Sequence, residues 1–87
     1  MSRINFAMED LQAFVAIAEK GRFRMAAEAL HISQPALSRR IEKLEKSHGS
    51  RLLDCTTRRM ETSNIGRQFL EEARAVLDIL DKRYPAR

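Results

Sequence analysis

A chain of 87 residues with 44% hydrophobic and 32% charged residues is one globular domain: this length supports a single core, and the apolar fraction is too high for a disordered chain. The net charge of +4 is uneven, with 10 Lys/Arg against 4 Asp/Glu between residues 20 and 59 and 6 against 8 elsewhere, so the middle of the chain attracts a polyanion, whether nucleic acid or an anionic membrane surface. One cysteine, Cys55, and two separated histidines exclude an internal disulfide and a recognisable zinc spacing, and they leave no Ser/His/Asp or Cys/His grouping for catalysis.

Residues 9–20, EDLQAFVAIAEK, place Leu11, Phe14, Val15 and Ala18 at helical spacing, begin with two acids and stop at Gly21, which suits a left-handed cap. The segment RMAAEALH predicts a second, short helix with Ala26, Ala27 and Leu30 inward. Its alanines let a neighbouring helix approach closely. Ser33 then caps a third helix running to about Lys46, with Pro35 in the first turn, where a missing N–H costs little, and with Ile32 and Leu37 spaced as a hydrophobic staple.

Gly49 closes that helix, and RLLDCTTRRMET suits two short strands joined by a turn around Thr57 and Arg58. From Ser63, a natural cap, a last helix of about twenty residues, roughly 30 Å, runs toward Pro85. Phe69, Ala73, Val76 and Leu80 follow four-three-four spacing along it, and Leu70 and Leu77 are a heptad apart. This stripe has more apolar surface than so small a body covers, so a partner chain is expected on Phe69, Leu70, Ala73, Val76, Leu77 and Leu80.

On a helical wheel of residues 34–46, Leu37, Ile41 and Leu44 gather on one side, while Pro35, Ser38, Arg39, Glu42, Lys43 and Lys46 spread around the other. A short helix, a tight turn at His31–Ser33 and a second helix capped by serine make a helix-turn-helix, whose second helix fits a major groove with its N-terminal residues toward base edges. Gln34 then suits adenine, Arg39 guanine or a phosphate, and Ser33 and Ser38 phosphates or base edges. Arg39, Arg40 and Lys43 also fit a merely solvated charged face. The staple, the cap and the neighbouring short helix favour contact with DNA.

The run AAEALHISQPALSRRIEKLE, with Gly49, Leu52 and Gly66 at matching intervals, resembles the N-terminal DNA-binding domain of LysR-type transcriptional regulators, and the likeness extends over about residues 8–82. The resemblance implies a mainly α winged helix-turn-helix: a three-helix core, a short two-stranded wing at about Thr56 to Met60, and a long C-terminal linker helix that pairs antiparallel in a homodimer. It divides the chain into a DNA-binding unit, residues 1–62, and a dimerisation helix of the same domain, residues 63–87. The contacts it carries over to double-stranded DNA fall on Ser33, Gln34, Pro35, Ser38 and Arg39, on Arg22 and Arg24 near the second helix, and on Arg58 and Arg59 in the wing.

Some positions depart from the family's pattern. Arg24 stands where a Ser or Thr usually caps the second helix; His48, Ser50, Leu53 and Cys55 replace the usual Leu, aliphatic residue, Phe and Arg at the start of the wing; Thr62 replaces a Leu before the last helix. Cys55 reads as an ordinary half-buried residue, and His48 as a helix-end residue favoured by the C-terminal dipole.

The function expected is sequence-specific binding of an interrupted inverted repeat by a dimer, within a bacterial regulator that is cytoplasmic and nucleoid-associated. No cofactor, no metal, no enzymatic activity and no membrane span are expected, and a small-molecule effector would act only through a C-terminal domain absent from this chain. The alternative from another class is a helical protein–protein interaction module whose basic face is incidental.

Overall fold

The first three helices of this protein each stop at a residue in the left-handed region. A computed structural model describes residues 7–55 and 60–83. The first helix, α1 (Met8–Lys20), starts with Glu9 and Asp10 against the positive end of its dipole and ends at Gly21, whose φ of 73° lets its N–H reach the Ile17 carbonyl.

The second helix, α2 (Phe23–Leu30), begins one residue earlier than expected. Arg22 therefore occupies the cap position, with no side-chain acceptor. Arg24 lies inside the first turn and meets Glu28 one turn on at 3.4 Å, so it does not stand in for a capping residue. His31 closes α2 in the left-handed region at φ 59°, and the N–H groups of His31 and Ile32 return to the carbonyls of Glu28 and Ala27.

After this turn comes α3 (Gln34–His48). The Ser33 hydroxyl accepts the Ala36 N–H at 3.2 Å, Pro35 sits in the first turn, and Gly49 at φ 86° ends the helix two residues beyond the expected point. Strands β1 (Leu53–Cys55) and β2 (Met60–Thr62) pair antiparallel with Asp54 opposite Glu61, and the turn predicted around Thr57 and Arg58 lies outside the described residues. The last helix is α4 (Asn64–Arg83).

The core is assembled around α1. Phe14 and Ile17 are fully buried, Leu11 and Ala13 join them, and the helix meets Ala26 and Ala27 of α2, Leu37, Ile41 and Leu44 of α3, and Phe69 and Ala73 of α4. Burying each large side chain contributes roughly 1.5–3 kcal/mol. Phe14 and Phe69 lie tilted with ring centroids 5.6 Å apart, and the His48 ring stands edge-on to Phe69 at 4.8 Å. His48 thus uses its ring to fill the space between the end of α3 and the start of α4, where an aliphatic side chain was the family's usual solution. Leu53, 5% exposed, fills the apolar position expected for a Phe.

Candidate nucleic-acid interface

The two sides of α3 are as different as the wheel predicts. Leu37, Ile41 and Leu44 are in the core, whereas Gln34, Pro35, Arg39, Glu42 and Lys46 are exposed and Ser38 is half-buried at the border. Because the dry side is packed against α1 and α2, the helix cannot turn its polar side inward without exposing three large aliphatic residues. Ser33 is exposed as well, although its hydroxyl is already engaged with the Ala36 N–H. Gln34, Pro35 and Arg39 thus share the exposed side of the first turns of one rigid, capped helix, with Ser38 at its margin.

Other predicted site residues are differently placed. Arg22 is exposed at the cap of α2; Arg24, also exposed, shares its charge with Glu28. Lys43 is only partly available: its Nζ lies 3.7 Å from Oδ2 of Asp10, whose side chain is 5% exposed. That pairing tethers Lys43 toward α1 and offsets part of the cost of burying a carboxylate. Arg58 and Arg59 lie outside the described residues.

The expected partner-facing set on α4 needs correction. Phe69 and Ala73 are 7% and 2% exposed and belong to the protomer's own core, since this part of α4 is held against α1. Leu70, Leu77 and Leu80 are half-buried, whereas Val76 is 44% exposed. Ile79, absent from the predicted stripe, is 56% exposed, and with Ile65 and Val76 it falls within about 60° of the helix circumference. Beside them, a groove of about 560 Å³ runs between α1 and α4, lined by Met8, Val15, Leu77 and Leu80 together with Gln12, Glu19, Arg74, Asp78 and Asp81.

Two polar side chains that sequence reasoning did not single out support the site from behind. Asp10 is the only buried charged residue among the described ones and stands under α3. Glu45, in the last turn of α3, accepts the N–H groups of Leu52 and Leu53 on one carboxylate oxygen at 2.8 and 3.2 Å, and so ties the start of β1 to α3. Neither has a signature at short range: an acid in the first turn of a helix, or on its polar side, is expected whatever it touches.

No helix of the described residues is long and apolar enough to cross a membrane. The family model of the bacterial regulatory helix-turn-helix proteins, lysR family, matches residues 8–67. The SDS degradation transcriptional activation protein of Pseudomonas sp. (strain ATCC 19151) is 51% identical over 71 residues, which are 82% of this chain and 23% of that protein. Across the first curated relatives the chain spans about a quarter to a third of their length. Among solved structures, a complex of the CbnR DNA-binding domain with DNA superposes with a TM-score of 0.85 at 36% identity, covering 90% of each chain. A complex of the BenM DNA-binding domain with benA site 1 DNA gives the same TM-score and identity, covering 90% of this chain and 88% of that one.

Proposed function

The chain belongs to the lysR family of bacterial regulatory helix-turn-helix proteins, and from that premise we propose that it is the DNA-reading module of a transcriptional regulator and acts as a homodimer. Residues 1–62 make up the reading head, and residues 63–87, which include α4, pair it with a second copy. Each head lays α3 in a major groove, so that two copies read an interrupted inverted repeat. Gln34 pairs with adenine and Arg39 with guanine or a phosphate, while Ser33, Pro35 and Ser38 fix the approach of the first turn. Arg22 and Arg24, and Arg58 and Arg59 between the two strands in sequence, add backbone contacts whose main effect is on affinity. Lys43 is a lesser contributor because of Asp10.

The observation that carries this reading is the division of α3 into a packed aliphatic side and an exposed side bearing Gln34, Pro35 and Arg39. Such a helix offers its polar tips to a ligand at no cost to the core. The exposed strip of α4 is also what an interaction module would present, and a second copy of the chain covers it under the present reading. An effector domain would occupy the additional length found in the relatives, and a cytoplasmic, nucleoid-associated location goes with the same role.

Selection of bound duplexes from a random pool tests the proposal. A recurring motif with two-fold symmetry is the expected result. Recovery of unrelated sequences, or of none above background, would refute it.

A further inference from the structure

Residues 51–53 connect α3 to the hairpin, and their backbone is held from two sides. From α3, the Glu45 carboxylate takes the N–H groups of Leu52 and Leu53 at 2.8 and 3.2 Å. From the start of α4, the Ser63 hydroxyl donates to the Arg51 carbonyl at 2.7 Å, and the Ser63 N–H donates to the Leu52 carbonyl at 3.0 Å. The same hydroxyl accepts the Gly66 N–H at 2.9 Å, so it caps α4 while gripping the connection. Gly66 permits the close approach: a Cβ there would stand 2.0 Å from the Leu52 carbonyl oxygen.

We propose that Glu45 and Ser63 are positioning residues that fix the angle between the reading helix α3 and the pairing helix α4, and thereby the spacing of half-sites that the dimer accepts. This rests on the dimeric DNA-reading function proposed above. Leu52 is the shared residue: its N–H belongs to Glu45 and its carbonyl to Ser63, so beyond their common packing on α1, α3 and the first turn of α4 are tied to each other through one residue's backbone. In a dimer paired through α4, any looseness at this junction appears as freedom of each α3 relative to the two-fold axis. A head reading one half-site is indifferent to that freedom. Two heads reading a fixed pair are not, because half-site separation is a geometric match between protein and duplex.

The test uses the 87-residue chain and the duplex recovered by random-pool selection, alongside versions with one base pair inserted or removed between half-sites and a version retaining a single half-site. Glu45→Gln combined with Ser63→Ala is expected to lower the preference for the original spacing by about tenfold, while single half-site affinity stays within about twofold of wild type. Ser63→Thr, which keeps the hydroxyl and the N–H, is expected to preserve the spacing preference. It also serves as the conservative variant should the double variant unfold, with Glu45→Gln alone then expected to show part of the loss. An unchanged spacing preference in folded Glu45→Gln or double variant would overturn the proposal, as would half-site affinity falling by the same factor as the preference. A wild-type chain that binds a single half-site as tightly as the pair would instead overturn the dimeric reading on which this rests.

Discussion

Helices α3 and α4 are both amphipathic, yet their exposed sides differ in kind. The exposed side of α3 carries Gln34, Arg39, Glu42 and Lys46; that of α4 includes Ile65, Val76 and Ile79, each more than two-fifths exposed. A polar side needs only a hydrogen-bonding, negatively charged ligand, and water suffices when none is present. An apolar strip loses free energy to water at every moment it stays uncovered, by roughly 25 cal/mol per Å². Under the proposed function, the contrast assigns two tasks to one small chain, reading to α3 and self-association to α4.

The sharpest way to break this contrast is to attack the dry side of α3. Leu37→Ala should cost about 3 kcal/mol of folding stability, enough to abolish DNA binding by unfolding much of the chain; chemical denaturation measures it. A loss below about 1 kcal/mol would mean that Leu37 is not the core residue described. Next, Ile79→Asp should move the chain from dimer to monomer in sedimentation, by about a hundredfold in the dimer dissociation constant, with the unfolding midpoint of the protomer little changed. Persistence of the dimer would transfer self-association to another surface.

On the wet side, Gln34→Ala and Arg39→Ala should each weaken binding to the selected duplex by about 1–3 kcal/mol while changing folding stability by no more than about 0.5 kcal/mol. Lys43→Ala should show the reverse: it leaves the buried Asp10 carboxylate without its cation, lowers stability by about 1 kcal/mol after allowance for the exposure of the lysine, and leaves sequence preference intact. Measuring both quantities for all three variants distinguishes readers from supports. The smallest effect belongs to the hairpin, where Asp54 faces Glu61: Glu61→Lys replaces a repulsive cross-strand pair with an attractive one and should stabilise the protein by about 0.5 kcal/mol in thermal unfolding.

Much of this arrangement is local, and local features are legible in sequence. Gly21, Gly49 and Ser33 cap helices by rules that act over a few residues, and the spacing of Leu37, Ile41 and Leu44 defines the packed side of α3 without knowledge of its neighbours. The division of α4 is not local, because its stripe serves two surfaces. Periodicity identifies Phe69, Ala73, Val76 and Leu80 as one row but says nothing of the rotation that buries Phe69 and Ala73 against α1 and leaves Val76 outside. Ile79 belongs to neither regular series, so spacing alone does not mark it. Asp10 and Glu45 illustrate a different limit. Their partners, Lys43 in another helix and the amides of residues 52 and 53, are supplied by the tertiary fold, and an acidic residue near the end of a helix looks alike whether it caps a distant backbone or faces water.

Whether the exposed side of α3 reads DNA is decided by titrating the chain into labelled duplex, selected and scrambled, at several salt concentrations for wild type and Arg39→Ala. Affinity is expected to fall steeply with salt on both duplexes, with a clear wild-type preference for the selected one and a reduced preference in the variant. Binding that ignores salt, or a wild-type affinity equal on the two duplexes, would contradict DNA reading by α3.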